Sequence, residues 1–244
     1  MRIAVLSDIH SNLLALDAIL AHLGPVDAVW HLGDVVGYGP EPDAVVARLA
    51  SVGAVGVRGN HDAAAIGGPE IDWFNPEARA AIEWTRDRIG RDTQEWLAAQ
   101  PELREIDDFS LVHGSPRDPL REYVTSAGVA LESLAAIRTP HGLHGHTHVP
   151  VAFIVTEGSD EDRMEVVGPG PDASVSLEGR RTFLNPGSVG QPRDGDPTSS
   201  CLVLDTDRGI ATWSRAAYDI DAVQRTMLAA GLPRRLADRL SIGA

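Results

Sequence analysis

Five short motifs between residues 8 and 148 hold most of the chemistry of this chain: Asp8-Ile9-His10, Gly33-Asp34-Val35-Val36-Gly37, Gly59-Asn60-His61-Asp62, His113-Gly114 and Gly145-His146-Thr147-His148. Carboxylate and amide oxygens and imidazole nitrogens suit Mn, Fe, Co, Ni or Zn. An extended segment through residues 8–10 would point Asp8 and His10 the same way, toward one ion. Asp34 has two oxygens and is able to bridge two ions. His146 and His148, spaced i and i+2 beside a glycine, suit two adjacent ions. His61 follows Asn60 directly and so points elsewhere, which frees it for proton transfer. Asp62 is expected to hold that imidazole and raise its basicity. Each motif alone has an ordinary explanation, such as a turn aspartate or a satisfied core histidine. In this order, together, they describe a dinuclear metal site with a spare histidine, which suits hydrolysis of a phosphate ester.

These residues need strand ends to hold them. Residues 2–7 are an apolar run bounded by polar residues, as in a buried strand. Leu13, Leu16, Ile19, Leu20 and Leu23 repeat at helical spacing, and Gly24-Pro25 ends that helix. Strands are predicted over 27–32 and 54–57, with a helix at 41–50 between them. This alternation predicts a βαβ start and a parallel sheet, whose carboxyl rim is where ligands bind. Residues 63–105 read as a helical insertion, with Asn75-Pro76 and Asp92-Thr93-Gln94-Glu95 as helix starts. A strand at 109–113 and a helix at 127–137 follow. The second half is richer in β structure, with strands expected at 143–145, 151–155, 164–167, 175–177, 182–184, 201–204 and 210–214. Residues 157–173 read as a hairpin or loop, and 219–230 and 233–241 as helices. With no repeat or linker, the 244 residues are expected to form a single domain.

Composition narrows the function. The net charge is −14, so a long nucleic-acid-binding face or an anionic membrane partner is not expected. A small anionic substrate remains compatible, because bound cations reverse the local field. All 21 basic residues are arginine, which excludes a lysine Schiff base and a Walker-type phosphate loop. The lone Cys201 lies in an apolar run and reads as a small buried hydrophobe in a reducing cytoplasm. No apolar stretch approaches the roughly 20 residues needed to span a bilayer, and no apolar signal core precedes the first strand.

The five motifs, in their order, resemble those of the calcineurin-like metallophosphoesterase superfamily, whose pattern is Asp-x-His, Gly-Asp-x-x-Asp/Gly, Gly-Asn-His-Asp/Glu, His and Gly-His-x-His. Gly37 takes the permitted alternative to Asp. Leu32–Pro40 and Asn185–Arg193 resemble a compact bacterial and archaeal branch of protein phosphatases, diadenosine-tetraphosphatase-like enzymes and YfcE-like phosphodiesterases. The resemblance implies an α/β fold, a two-sheet β-sandwich flanked by helices. It implies that Asp8, His10, Asp34 and His148 hold one divalent metal. Asp34, Asn60, His113 and His146 would hold a second, and His61 would be the catalytic histidine. The expected reaction is attack on phosphorus by a metal-activated hydroxide, with His61 protonating the leaving group. A non-catalytic scaffold on the same fold would show erosion of these positions, and none is eroded.

Among the remaining residues, His22, His31, His141 and His144 read as structural. Arg117 and Arg193 lie in loops beside motifs, where either would clamp a phosphate or form a solvated salt bridge. Trp73-Phe74 closely follows His61. The pair would either pack a nucleobase or lie buried between helix and sheet.

Overall fold

Both faces of the first strand are covered, and this sets the layering. In the computed structural model, which describes residues 1–156 and 164–244, β1 (Arg2–Leu6) sends Ile3 and Val5 into one apolar layer and Ala4 and Leu6 into another. Such a strand must lie inside a sheet with packing on both sides. The chain continues through α1 (Leu13–Leu23), β2 (Ala28–His31), α2 (Pro42–Ser51), β3 (Val55–Gly56) and α3 (Asn60–Ala65). A 3-10 turn at Pro69–Trp73 leads to α4 (Pro76–Arg86) and α5 (Arg91–Ala98). Then come β4 (Leu103–Ile106), β5 (Phe109–Val112), α6 (Ala127–Ala136) and β6 (His141–Leu143). The β-rich half holds β7 (Val151–Val155), β8 (Met164–Val167), β9 (Ser174–Ser176), β10 (Thr182–Asn185), β11 (Ser199–Asp205) and β12 (Ile210–Ala216). Finally α7 (Ile220–Ala229) and α8 (Arg234–Asp238) run into a 3-10 turn at Arg239–Ser241.

The strands form two six-stranded sheets, ordered β3-β2-β1-β11-β12-β9 and β4-β5-β6-β10-β7-β8. In the first, β1, β2 and β3 are parallel. In the second, β5, β6 and β10 are parallel. The remaining pairings are antiparallel, including β11 on β1 in the register Ile3↔Leu204. The expected βαβ start is present, but both sheets are mixed because later strands return antiparallel. The layer between the sheets contains Ile3, Val5, Leu111, Leu143, Leu184, Leu202, Leu204 and Trp213. Trp213 donates its indole N–H to Asn185 O at 2.8 Å, which avoids the roughly 1–3 kcal/mol cost of a buried unpaired donor. Helices α1, α2, α3 and α5 cover the outer face of the first sheet, and α6 covers the second.

Several boundaries differ from expectation for identifiable reasons. Asn60–Ala65 is a short helix that was not anticipated after the third strand, and the Asp62 side chain caps its start by accepting from Gly59 N–H at 3.0 Å. Helices fill the stretch expected to be a helical insertion, and Ile82, Ile89 and Leu97 join the main core. The end of that stretch passes into β4, a half-exposed edge strand whose alternation of Leu103, Arg104, Glu105 and Ile106 is too polar to stand out. β6 ends at Leu143, two residues before its expected end, so the following motif lies wholly in a loop. The expected loop at 157–173 falls partly on residues 157–163, which lie outside the described residues. The expected helix at 233–241 divides into α8 and the final 3-10 turn. Among the described residues no helix is long and apolar enough to cross a membrane.

The structural histidines behave as expected. His141 Nδ1 lies 3.0 Å from Thr182 Oγ1, and His144 stacks on Phe183. His22 sits in the last turn of α1. Cys201 is buried, and burial pushes its thiol up to about 12. His31 is buried against Trp96 with no hydrogen-bond partner on either ring nitrogen.

Burial pushes the His31 imidazole down, to about 3. Above the ordinary histidine pKa neither the folded nor the unfolded chain protonates it. Below that value the unfolded chain takes a proton that the folded chain refuses until about pH 3. Stability is therefore lost as pH falls from about 6.5 toward 3, at up to about 1.4 kcal/mol per pH unit from this residue alone. Replacing His31 with Phe keeps a ring against Trp96 and should flatten that decline in urea melts at pH 4.5–7.5. An unchanged slope in the variant would show that His31 is not the buried neutral group described here.

Candidate metal centre

Parallel strands bring the motifs to one rim. Asp8 follows β1, Asp34 follows β2, Asn60 follows β3, His113 follows β5 and His146 follows β6. The backbone there is unusual. Asp8, His10, Asp34, His146 and His148 all have positive φ, between 47° and 67°. Asp8 and His10 therefore converge through a left-handed turn and not through the expected extended alternation. Such conformations cost of order 1–3 kcal/mol each and persist only where the surroundings fix them. Missing side chains help to fix them. A Cβ at Gly59 would collide with Asp34 Oδ1, and one at Gly145 with Ser7 Oγ.

A further segment ties the loops together. Asn185 donates to Gly145 O at 2.8 Å. Val189 N–H donates to Ser7 O, and Gly190 N–H to Asp8 O. Ser188 Oγ also donates to Asp8 O, at 2.7 Å. This is the Asn185–Arg193 stretch that resembled the family, and its role here is to join the β1 loop to the 145–148 loop.

Two overlapping groups of donors result. Asp8, His10, Asp34 and His148 each bring one atom to within 4.8 Å of the others, and Asp34, His113 and His146 do the same. Asp34 belongs to both. Its Oδ1 accepts the His61 N–H at 2.9 Å, while its Oδ2 lies 3.7 Å from His10 Nε2 and 3.3 Å from His113 Nε2. Asn60 Oδ1 lies 3.1 Å from His113 Nε2, beside the second group.

The hydrogen bonds around the rings assign their protons. His10 Nδ1 faces Val36 O, His148 Nδ1 faces Gln191 O and His113 Nδ1 faces Leu32 O. Carbonyls only accept, so each Nδ1 carries a hydrogen. The Nε2 atoms of His10 and His148, 3.1 Å apart, are then both bare lone pairs. His113 Nε2 faces three acceptors at once, Asn60 Oδ1, His146 Nδ1 and Asp34 Oδ2. Asp8 Oδ1, with no hydrogen-bond donor, lies 3.3 Å from the bare His148 Nε2. Converging acceptors repel one another unless a cation lies among them, and carbonyl-anchored imidazoles are the usual support of metal ligands. The donor set fits divalent metal.

Charge agrees with this. Burial holds His10, His146 and His148 well below the ordinary imidazole value, so they are neutral, as ligands must be. Burial alone would raise Asp34, but His113, His61 and His10 outweigh it and hold the carboxylate well below its usual range. Burial pushes Asp8 up, to about 7. Burial would lower His113, but the nearby Asp34 and Asp8 carboxylates raise it to about 9. Negative charge thus draws in whatever cation is available.

The expected contact between Asp62 and His61 is absent. Asp62 Oδ1 accepts from Val36 N–H at 3.0 Å and Oδ2 from Gly59 N–H at 3.0 Å, so both oxygens hold backbone. His61 is placed by rings. It stacks on Phe74 at 4.4 Å and 26°, and packs against Tyr38 at 4.4 Å. Its Nδ1 is buried without a partner. Phe74 is half-buried against the His61 ring and Trp73 is 46% exposed, so the pair is not buried together between helix and sheet. Arg117 is engaged by Glu122 and Glu132, which is the salt-bridge alternative. Arg193 forms no salt bridge among the described residues, donates to Gln191 Oε1 at 2.8 Å and lies close enough to stabilise the Asp8 carboxylate. Tyr38 and Tyr123 were not singled out in the sequence, since an isolated Tyr in a loop carries no periodic signal. Tyr123 stacks on His146 at 3.8 Å and 21°. A cavity of about 670 Å³ lies elsewhere, lined by Met1, Trp30, Phe109 and His141 at the opposite strand ends.

The chain belongs to the calcineurin-like phosphoesterase superfamily, whose domain model matches residues 1–209. An uncharacterised protein of Methanocaldococcus jannaschii, MJ0912, is 32% identical to it over 99% of this chain and 98% of its own length. The phosphodiesterase YfcE of Escherichia coli is 28% identical over 85% of this chain and 89% of its own. A metallophosphoesterase structure from Sphaerobacter thermophilus superposes with a TM-score of 0.91 and 39% identity, over 100% of both chains. The chain is accordingly a phosphoester hydrolase on the two-sheet fold that its motifs implied.

Asp34 is the only donor common to both groups, so its loss should be the most damaging. Asp34→Asn should abolish bound divalent metal in plasma-emission analysis, and added Mn²⁺ should raise the melting temperature of the wild type but not of the variant. Normal metal content in Asp34→Asn would remove Asp34 from the centre.

Proposed function

We propose that this chain hydrolyses small phosphodiesters with two divalent cations sharing Asp34. The observation that carries this reading is the membership of Asp34 Oδ2 in two separate groups of converging lone pairs. Asp8, His10, Asp34 and His148 would hold one ion, and Asp34, Asn60, His113 and His146 the other. When bound, such ions supply positive charge to the phosphate oxygens and acidify an attacking water. A diester is favoured over a monoester by the relative named a phosphodiesterase. A small substrate is favoured over a folded phosphoprotein by burial, since none of the proposed ligands is more than 8% exposed. The net charge of −14 gives no reason to expect a polymeric nucleic acid. The lone buried cysteine fits a reducing cytoplasm.

His61 is the proposed proton donor. Burial pushes its imidazole down to about 4, so it is neutral before substrate arrives. An anionic phosphate ester beside it favours the protonated ring, so proton uptake accompanies binding. The proton then passes to the departing oxygen. The Phe74 and Tyr38 rings restrict where the imidazole points, and Asp62 acts at one remove by fixing the start of α3. Arg193, whose buried Nε has no partner, would supply a guanidinium to a phosphate oxygen.

His61→Ala should retain its metals and lose about 10²–10⁴-fold in kcat. The loss should be larger for alkyl esters than for nitrophenyl esters, whose leaving groups need no proton. Asp62→Asn should lower the melting temperature without that leaving-group dependence. Equal losses on both ester classes in His61→Ala would assign the proton to another group.

A further inference from the structure

Every proposed ligand is buried, so a substrate meets the rim of the centre before the centre itself. Two rings on that rim are exposed, Trp73 at 46% and Tyr123 at 49%. Single exposed aromatics need no explanation, but these two are tethered to the site from opposite sheets. Trp73 ends the 3-10 turn after α3, the helix that carries His61, and its neighbour Phe74 stacks on the His61 ring. Tyr123 lies in the loop between β5 and α6, and stacks on the His146 ring. The two segments meet where the Arg121 guanidinium stands over the Trp73 ring.

That contact has the form of a placeholder. Arg121 is exposed and makes no ion pair among the described residues. A cation over an exposed ring is only weakly held. The loop that carries it is rigid by contrast. Arg117 binds Glu122 and Glu132, Ser115 Oγ also donates to Glu122, and Gly114 N–H donates to Pro119 O at 2.7 Å. A firmly held loop thus ends in one loosely held planar cation lying on an exposed indole. A ligand ring would cover the indole with more apolar area than a guanidinium does, and the exposed Arg121 is free to leave it.

We propose that Trp73 and Tyr123 form an aromatic subsite that selects phosphodiesters bearing a planar aromatic group, with Arg121 covering the Trp73 ring until the substrate displaces it. The inference rests on the phosphodiesterase reading above and names the substrate class of that site. A nucleobase and a simple aryl ring share the chemistry required. Arg121 acts as a displaceable cover, so its removal must not weaken aromatic binding, whereas removal of Trp73 must.

The test uses the metal-loaded enzyme and three diesters of equal charge, carrying nucleoside, phenyl and alkyl groups. Trp73→Ala and Tyr123→Ala should each lower the aromatic-over-alkyl ratio of kcat/KM by about tenfold, the typical loss for one stacking ring. Trp73→Phe should recover most of it. Independently of turnover, adenosine 5′-monophosphate should quench tryptophan fluorescence and ribose 5-phosphate should not, and the quench should vanish in Trp73→Phe. Affinity for adenosine 5′-monophosphate should be equal or tighter in Arg121→Ala. An aromatic-over-alkyl ratio of kcat/KM left unchanged by Trp73→Ala and Tyr123→Ala would overturn the subsite, as would an Arg121→Ala loss matching that of Trp73→Ala. A preference for nucleoside over phenyl marks a nucleobase as the natural group, and equal preference marks any planar ring. If the wild type cleaves no diester at all, the phosphodiesterase reading fails instead, and the quenching experiment still judges the subsite.

Discussion

Lone pairs forced to converge in a dry interior are the constraint on which this structure turns. His10 and His148 present bare Nε2 atoms to each other at 3.1 Å. His113 Nε2 faces an amide oxygen, a carboxylate and another ring nitrogen, and the proton it carries there stands where a cation would. In water these groups would be solvated separately. Here their outer nitrogens are fixed by backbone carbonyls, so the rings cannot turn to relieve the conflict. Converged acceptors are high in energy without a cation and well satisfied with one, which couples folding of this rim to metal. The scaffold meets the cost by placing the donors after parallel strands of two sheets, which hold their ends in one place.

The left-handed backbone at Asp8, His10, Asp34, His146 and His148 belongs to the same constraint. A tight turn lets residues two apart in sequence aim at one point, while the intervening Ile9 turns into the core. Gly59 and Gly145 are short because Asp34 and Ser7 occupy the space a side chain would need. The segment Asn185–Gln191 then closes the arrangement by donating to the backbone of both neighbouring loops. Local strain and long-range hydrogen bonding are thus two parts of one device.

Much of this was legible in the sequence, and the parts that were not share a cause. The donor cluster could be read because strand-end Asp and His with flanking glycines stand out from apolar runs. The two-sheet architecture followed from the resemblance. Composition and periodicity alone indicated a parallel sheet, because the antiparallel return of β11 onto β1 depends on contacts about 200 residues apart. The helix at Asn60–Ala65 was hidden because its cap comes from Asp62 inside the motif. For the same reason Asp62 looked like a partner for His61 when it serves the backbone. The real neighbours of His61 are Phe74 and Tyr38, which reach it only through tertiary packing. Trp73 and Phe74 are adjacent yet have opposite fates, one exposed and one against the imidazole, and no local pattern distinguishes them.

The central claim is that Asp34 joins two cation sites. Anomalous diffraction from crystals grown with Mn²⁺ tests it most directly. The account predicts two manganese peaks, one coordinated by Asp8, His10 and His148, the other by Asn60, His113 and His146, and both in contact with the Asp34 carboxylate. A single peak, or two peaks that do not share Asp34, would contradict it.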